Sequence, residues 1–216
     1  MHMCPSEEPV VRAVRDLASI TWAPGQRKQT HNQLTLATMM LLALSIGARD
    51  AVGYDPHAFE VINGYGVSHY LEKGEMRVVV LPKILIEQLS AYDQHLAVIR
   101  QLWRLEIGAD EPFEDLFFLF DESGQPSTFH PKSFSKYLSE FGIDYQTPLN
   151  GLRRLIFTYL YELELGHVLD MYIGHAAEGR RPWAQLSGAS LDPLCDVAHH
   201  INDFLIEMNW PVLKGC

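Results

Sequence analysis

Three short segments of this chain carry residue types suited to handling phosphate: Leu44-Ser45-Ile46-Gly47-Ala48-Arg49-Asp50, Asn150-Gly151-Leu152-Arg153-Arg154 and Tyr172-Ile173-Gly174-His175. In a fourth, Lys73 stands in a turn just ahead of Arg77-Val78-Val79-Val80-Leu81-Pro82. A guanidinium is a planar fork of donors that can hold two anionic oxygens at once, an imidazole adds a further donor, and an ammonium is a compact charge that can give up a proton. Taken singly, each residue has an ordinary reading. Arg49 follows a helix end, where a cation suits the dipole. Arg153 borders an apolar stripe and can snorkel or pair with Glu162 or Glu164. Lys73 in a polar turn reads as solvated surface, and His175 after a glycine as a packing or capping histidine. Arg180-Arg181 reads as a solvated pair, which a DNA-facing loop would use well.

The elements that would have to position these residues are legible from periodicity. Val10, Val14, Leu17 and Ile20 set a helix over Glu7 to Ile20, and Pro24-Gly25 breaks it before the basic stretch Gln26-Arg27-Lys28. Thr30 or Asn32 is suited to cap a helix from Leu34 to about Ile46, apolar nearly all round and therefore central, with Gly47 ending it. Phe59 to Asn63, Val67 to Tyr70 and Arg77 to Leu81 are short and β-prone, separated by Gly64, Gly66 and Gly74, and predict a three-stranded antiparallel meander. Pro82 opens a helix reaching toward Trp103, and Leu116 to Phe120 suits a short strand.

After the turn Glu122-Ser123-Gly124-Gln125-Pro126, helices are expected at Pro131 to Phe141 and from Pro148 through the stripe Leu152, Leu155, Ile156, Tyr159, Leu160 and Leu163. A short helix from Val168 to Ile173, a loop with Arg180, Arg181 and Pro182, and a last helix over about Leu191 to Met208 complete the pattern. The fold class is α+β and mostly helical, with a small antiparallel three-stranded sheet.

Composition narrows the classes. The chain has 216 residues, 47% of them hydrophobic, enough for one substantial core. Cys4, Cys195 and Cys216 lack C-x-x-C spacing, which favours a reducing cytoplasm and argues against structural zinc; His199-His200 and the other histidines show no metal-ligand spacing. No metal and no cofactor are expected. Leu34 to Ile46, the longest apolar-rich run, is too short to span a bilayer, and no charged leader with an apolar core opens the chain, so no membrane partner is expected. Seventeen basic against twenty-seven acidic residues leave a net charge of −10, so contact with a phosphate backbone would depend on a local patch.

In order and spacing the four segments resemble the catalytic domain of tyrosine recombinases, the phage-integrase family, over roughly residues 30 to 208. The first resembles the helix end that supplies that family's first active-site arginine, the second its H-x-L-R motif and the third its L-G-H. Lys73 resembles its β-hairpin lysine ahead of an R-V-x-P-L-P strand, and Leu116-Phe117-Phe118-Leu119 with Gly124 and Pro126 has weaker counterparts. The resemblance implies that Arg49 and Arg153 clamp the phosphodiester, that His175 adds a donor, and that Lys73 protonates the departing 5′ oxygen. It also implies DNA contacts from Arg27, Lys28, Asn150, Arg154, Arg180 and Arg181.

Two departures bear on activity. Asn150 stands where the family has histidine, keeping hydrogen-bonding capacity but losing the ability to hold a proton. The family's nucleophile is a tyrosine that forms a 3′-phosphotyrosyl link. Its position falls here on Ala184, or on Leu186 with a longer loop, and no tyrosine follows Tyr172. Ser187 and Ser190 are the hydroxyls nearby, with no visible base to activate them.

The family also carries an N-terminal core-binding domain that closes a clamp on the duplex. Residues 1–29 are expected to be an N-terminal helix and linker, a remnant or truncation of that region, and residues 30–216 the catalytic-like domain. The resulting expectation is a recombinase-like DNA-binding or accessory protein of a mobile element, in the cytoplasm, unable to cleave DNA itself. Its partners would be DNA and an active recombinase or another protein of the same element. The alternatives are an active recombinase with an unusual or partner-supplied nucleophile, and a scaffold that no longer binds DNA.

Overall fold

The computed structural model describes residues 7–21, 25–48, 54–55, 57–72, 75–107, 116–163, 165, 168–169, 172 and 190–215. Helix α1 (Glu8–Ser19) lays Val10, Val11, Ala13, Val14 and Leu17 against α2 (Arg27–Ile46). Nearly every side chain of α2 from His31 onward is buried, because α1, α3 (Lys83–Ile107), α4 (Phe134–Glu140), α5 (Leu149–Glu162) and the first strand of a short hairpin surround it. A helix apolar all round is stable only when enclosed in this way. Gly47, in the left-handed conformation at φ 57, ends it.

Helix α2 begins at Arg27 rather than at Leu34, and neither Thr30 nor Asn32 caps it. The Thr30 hydroxyl bonds back to the Gln26 carbonyl at 3.0 Å. The Asn32 amide clasps strand β4 (Phe118–Phe120), donating to the Phe120 carbonyl at 2.8 Å and accepting from its N–H at 2.7 Å. Gln33 reaches the other way and donates to the Leu17 and Ile20 carbonyls at the end of α1. Tertiary partners thus extend the helix through residues whose local preference is for a cap.

Strands β1 (Phe59–Ile62), β2 (Tyr65–Glu72) and β3 (Glu75–Leu81) form the expected antiparallel meander in the order β1-β2-β3. Asn63 and Gly64, both at positive φ, make a two-residue turn, so β2 starts at Tyr65 rather than Val67. Gly66 is not a separator but a strand residue. A Cβ there would stand 3.0 Å from the Phe59 ring and 3.1 Å from Leu81.

A second hairpin pairs β4 with β5 (Pro126–Thr128), a strand absent from the sequence reading. Its turn is organised by Asp121, whose carboxylate accepts from Ser123 at 2.6 Å and from the Gln125 N–H at 2.8 Å. A 3-10 turn (Pro131–Ser133) leads into α4, and α6 (Asp192–Glu207) packs on α5 and β3. Val168, Leu169 and Tyr172 are helical and buried, as far as the expected helix there is described. No helix among the described residues is long and apolar enough to cross a membrane.

Candidate functional site

The described parts of all the motif segments meet at the C-terminal end of α2. Arg77, on β3, is 8% exposed and ties three of them together. Its Nη1 donates to the Tyr172 carbonyl at 2.8 Å, and its Nη2 to the carbonyls of Ile46 at 3.1 Å and Gly47 at 3.3 Å. The guanidinium also lies 5.3 Å above the ring of Tyr70, its cross-strand partner. A buried arginine needs such acceptors, and the last carbonyls of a helix are both unsatisfied and at the negative end of its dipole. The Tyr172 hydroxyl completes the clasp by donating to the Ser45 carbonyl at 2.8 Å.

Arg153 reaches the same place from α5. It is 6% exposed, its guanidinium stands 5.5 Å from the Phe157 ring centre, and its Cγ is 4.0 Å from where a Cβ on Gly47 would sit. That same Cβ would stand 3.5 Å from Phe157, so Gly47 serves close packing as well as its turn. Arg49 follows Gly47 by two positions in the chain and His175 follows Tyr172 by three. Arg49, Lys73, His175, Arg180 and Arg181 themselves lie outside the described residues, as do Ala184, Leu186 and Ser187.

Tyr172, the last tyrosine, is built for structure. It is 1% exposed, and burial raises its phenol well above the ordinary tyrosine range despite the neighbouring Arg77. A phenol held in this way does not present an oxygen to an external phosphorus. Ser190 is exposed, and its hydroxyl donates to Asp192 at 2.7 Å at the entry to α6.

The other predicted contact residues divide. Asn150 and Arg154 are exposed on α5, and Asn150 lines an open cleft of ≈ 680 Å³ with His130, Lys132 and Ser133. Arg27 and Lys28 lie at the far end of α2, about 30 Å from Gly47 for a helix of this length. There Arg27 faces Glu106 at 3.6 Å, and the Lys28 ammonium donates to the Gly124 carbonyl at 2.7 Å over the Phe120 ring. Gly124 itself sits in the left-handed region at φ 77, a conformation that accounts for the glycine.

Two constellations escaped the sequence reading. His31 and His95 form a buried pair: His31 Nε2 donates to the Phe118 carbonyl at 3.1 Å, so its Nδ1 accepts from His95 Nε2 at 3.2 Å. Burial, then the neighbouring His95, lowers the pKa of His31 to about 3, and burial lowers that of His95 to about 4. Near neutral pH both are uncharged. At the start of β2 the Tyr65 hydroxyl bonds to His199 Nδ1 at 3.1 Å, and His199 Nε2 faces Asp203 at 3.4 Å. Tyr65 is five residues along β2 from the Tyr70 that pairs with Arg77, roughly 17 Å at strand rise, too far to attack a phosphate held at the end of α2. Among the described residues no group of three or more His, Cys, Asp or Glu side chains is placed to hold a metal ion.

The architecture is a tyrosine-recombinase-like catalytic fold, mostly helical with the small antiparallel sheet. Among solved structures the chain is similar to an XerH site-specific recombinase bound to difH substrate in a pre-cleavage complex. The identity is 17% and the TM-score 0.51, over 82% of this chain and 47% of that one. A post-cleavage complex of XerH on a palindromic difH substrate aligns at 18% identity and a TM-score of 0.49, over 92% of this chain and 52% of that one. The chain thus spans about half the length of these structures. No family model and no curated protein matches the sequence.

Proposed function

We propose that this protein is a recombinase-like DNA-binding or accessory protein of a mobile element, one that retains a phosphate-recognising pocket and lacks the group that would attack the phosphate. The observation that carries this reading is the Arg77 clasp. It joins the end of α2 to Tyr172 beside Arg153, and so gathers the chain positions leading into Arg49 and His175. A fold shared with a recombinase solved on its DNA supports duplex DNA as the ligand. The pocket residues would be Arg49, Lys73, Arg153 and His175, with the guanidinium forks on the non-bridging oxygens. Asn150, Arg154, Arg180 and Arg181 would contact the flanking backbone, assisted by an active recombinase or another protein of the same element.

The loss of cleavage rests on Ala184 and Leu186 standing at the nucleophile positions and on the burial of Tyr172. The test is a nicked suicide duplex incubated with the purified chain and run on a denaturing gel. No covalent protein–DNA species is expected. An adduct would overturn the non-cleaving reading in favour of a strand transferase with another nucleophile, which mapping of the linked residue would identify. Absence of salt-dependent DNA binding would leave a scaffold.

A further inference from the structure

In a chain carrying ten more acidic than basic side chains, two acid-free stretches besides residues 17–49 border one cleft: residues 123–139 and 145–161 contain no Asp or Glu. The first holds His130, Lys132 and Lys136, the second Arg153 and Arg154. The fold brings them together. The 3-10 turn and the start of α4 come from the first, the opening turn of α5 from the second, and the cleft of ≈ 680 Å³ lies between. Its polar lining is His130, Lys132, Ser133 and Asn150, a neutral-to-cationic set with a hydroxyl and an amide. His130, Lys132 and Asn150 are all exposed, as are Lys136 one turn beyond Lys132 and Arg154 one turn beyond Asn150.

We infer that this cleft is a second anion site, which seats a backbone phosphate of duplex DNA next to the one held at Arg153. His130 supplies the imidazole that position 150 lacks, and Lys132 supplies the charge. The inference rests on the DNA reading above and adds to it a location and residues that the motifs do not indicate. The geometry suits a polyanion for three reasons. An open cleft admits a backbone where an enclosed cavity would not. A lysine and a histidine beside an amide give donors from both walls. The first turn of α5 adds the positive end of a helix to the same opening. Arg153 lies one turn deeper on that helix than Asn150, so the two sites follow one line along α5.

The test is fluorescence anisotropy of a labelled mixed-sequence duplex against the full chain over a salt series. The exposed positions allow substitutions with little risk to folding. His130→Ala with Lys132→Ala is expected to weaken binding to all sequences more than Lys132→Ala alone, with the salt slope reduced by about one in both, since Lys132 carries the charge. Lys132→Arg is expected to keep the parent's binding, and Lys214→Glu, an exposed residue that lines a separate groove with Glu87 and Gln94 of α3, to leave the slope unchanged. If the cleft variants bind as the parent does while Arg153→Lys weakens binding, the cleft inference fails and the DNA reading stands. If the parent chain shows no salt-dependent binding, both fail. A preference for duplex RNA over duplex DNA would overturn the assignment of the ligand.

Discussion

The two ends of α2 bury polar groups for opposite purposes. At the beginning, His31 pairs with His95 and Phe118, Asn32 with Phe120, and Lys28 with Gly124. The deeply buried members there are uncharged, and their hydrogen bonds run to groups that are themselves part of the core. At the far end, Arg77 and Arg153 are both buried and both permanently charged; Arg77 bonds to the last carbonyls of the helix, and Arg153 packs beside Gly47 and Phe157. Neutral groups suffice to join a helix to a hairpin. Guanidinium groups kept at nine-tenths burial or more are expensive to desolvate, a cost that the three backbone carbonyls offset at Arg77 and that the proposed phosphate would offset at Arg153.

The contrast can be broken most severely at Arg77. Replacing it with methionine leaves the Ile46, Gly47 and Tyr172 carbonyls without their donor, at about 1–3 kcal/mol for each buried acceptor left unmet. A loss of upward of about 3 kcal/mol is expected in urea unfolding. A loss below about 1 kcal/mol would mean that the clasp does not hold the three segments.

The next effect separates the ends by pH. Above pH 6.5 the histidine pair is neutral in both folded and unfolded chains and stability is level. Below it the unfolded chain takes up protons that the folded chain refuses until about pH 4 at His95 and about pH 3 at His31. Stability therefore falls as pH drops from 6.5 toward 4, by about 1.4 kcal/mol per unit for a fully buried histidine. Arginine does not titrate in that range, so the far end contributes nothing to the slope. Thermal melts at pH 7, 6 and 5 should show Tm dropping, with a shallower drop in His95→Leu; parallel slopes in the two proteins would contradict the assignment.

A smaller effect is expected at Asn32. Asn32→Ala removes both bonds of the β4 clasp and should cost about 2 kcal/mol, read as a lower urea midpoint at constant m-value. An unchanged midpoint would place the hairpin's support elsewhere, in the stacking of Phe118 on His31.

Much of the fold was legible because its helices carry apolar residues at helical spacing and its meander alternates β-prone runs with glycines. The start of α2 was not, since Lys28, Asn32 and Gln33 belong to the helix only through partners at Gly124, Phe120 and α1. Strand β5 was hidden by its shortness and by the proline that begins it. In the site, Arg153 was visible from its motif. Arg77 was visible as a strand residue but not as the clasp, because it donates to backbone carbonyls 30, 31 and 95 positions away, which no side-chain pattern records. His130 and Lys132 were silent for the same reason: their relation to Asn150 exists only once α4 and α5 converge.

The central claim, that a phosphate-binding pocket survives without its nucleophile, is tested most directly at Arg153. Duplex binding should be measured for the parent, Arg153→Lys and Arg153→Ala between about 50 and 200 mM salt, with circular dichroism to confirm folding. The lysine keeps the charge and loses the fork, so binding is expected to weaken in Arg153→Lys and further in Arg153→Ala, with a salt slope shallower by about one in the latter. Equal affinity and equal slope across the three folded proteins would contradict it.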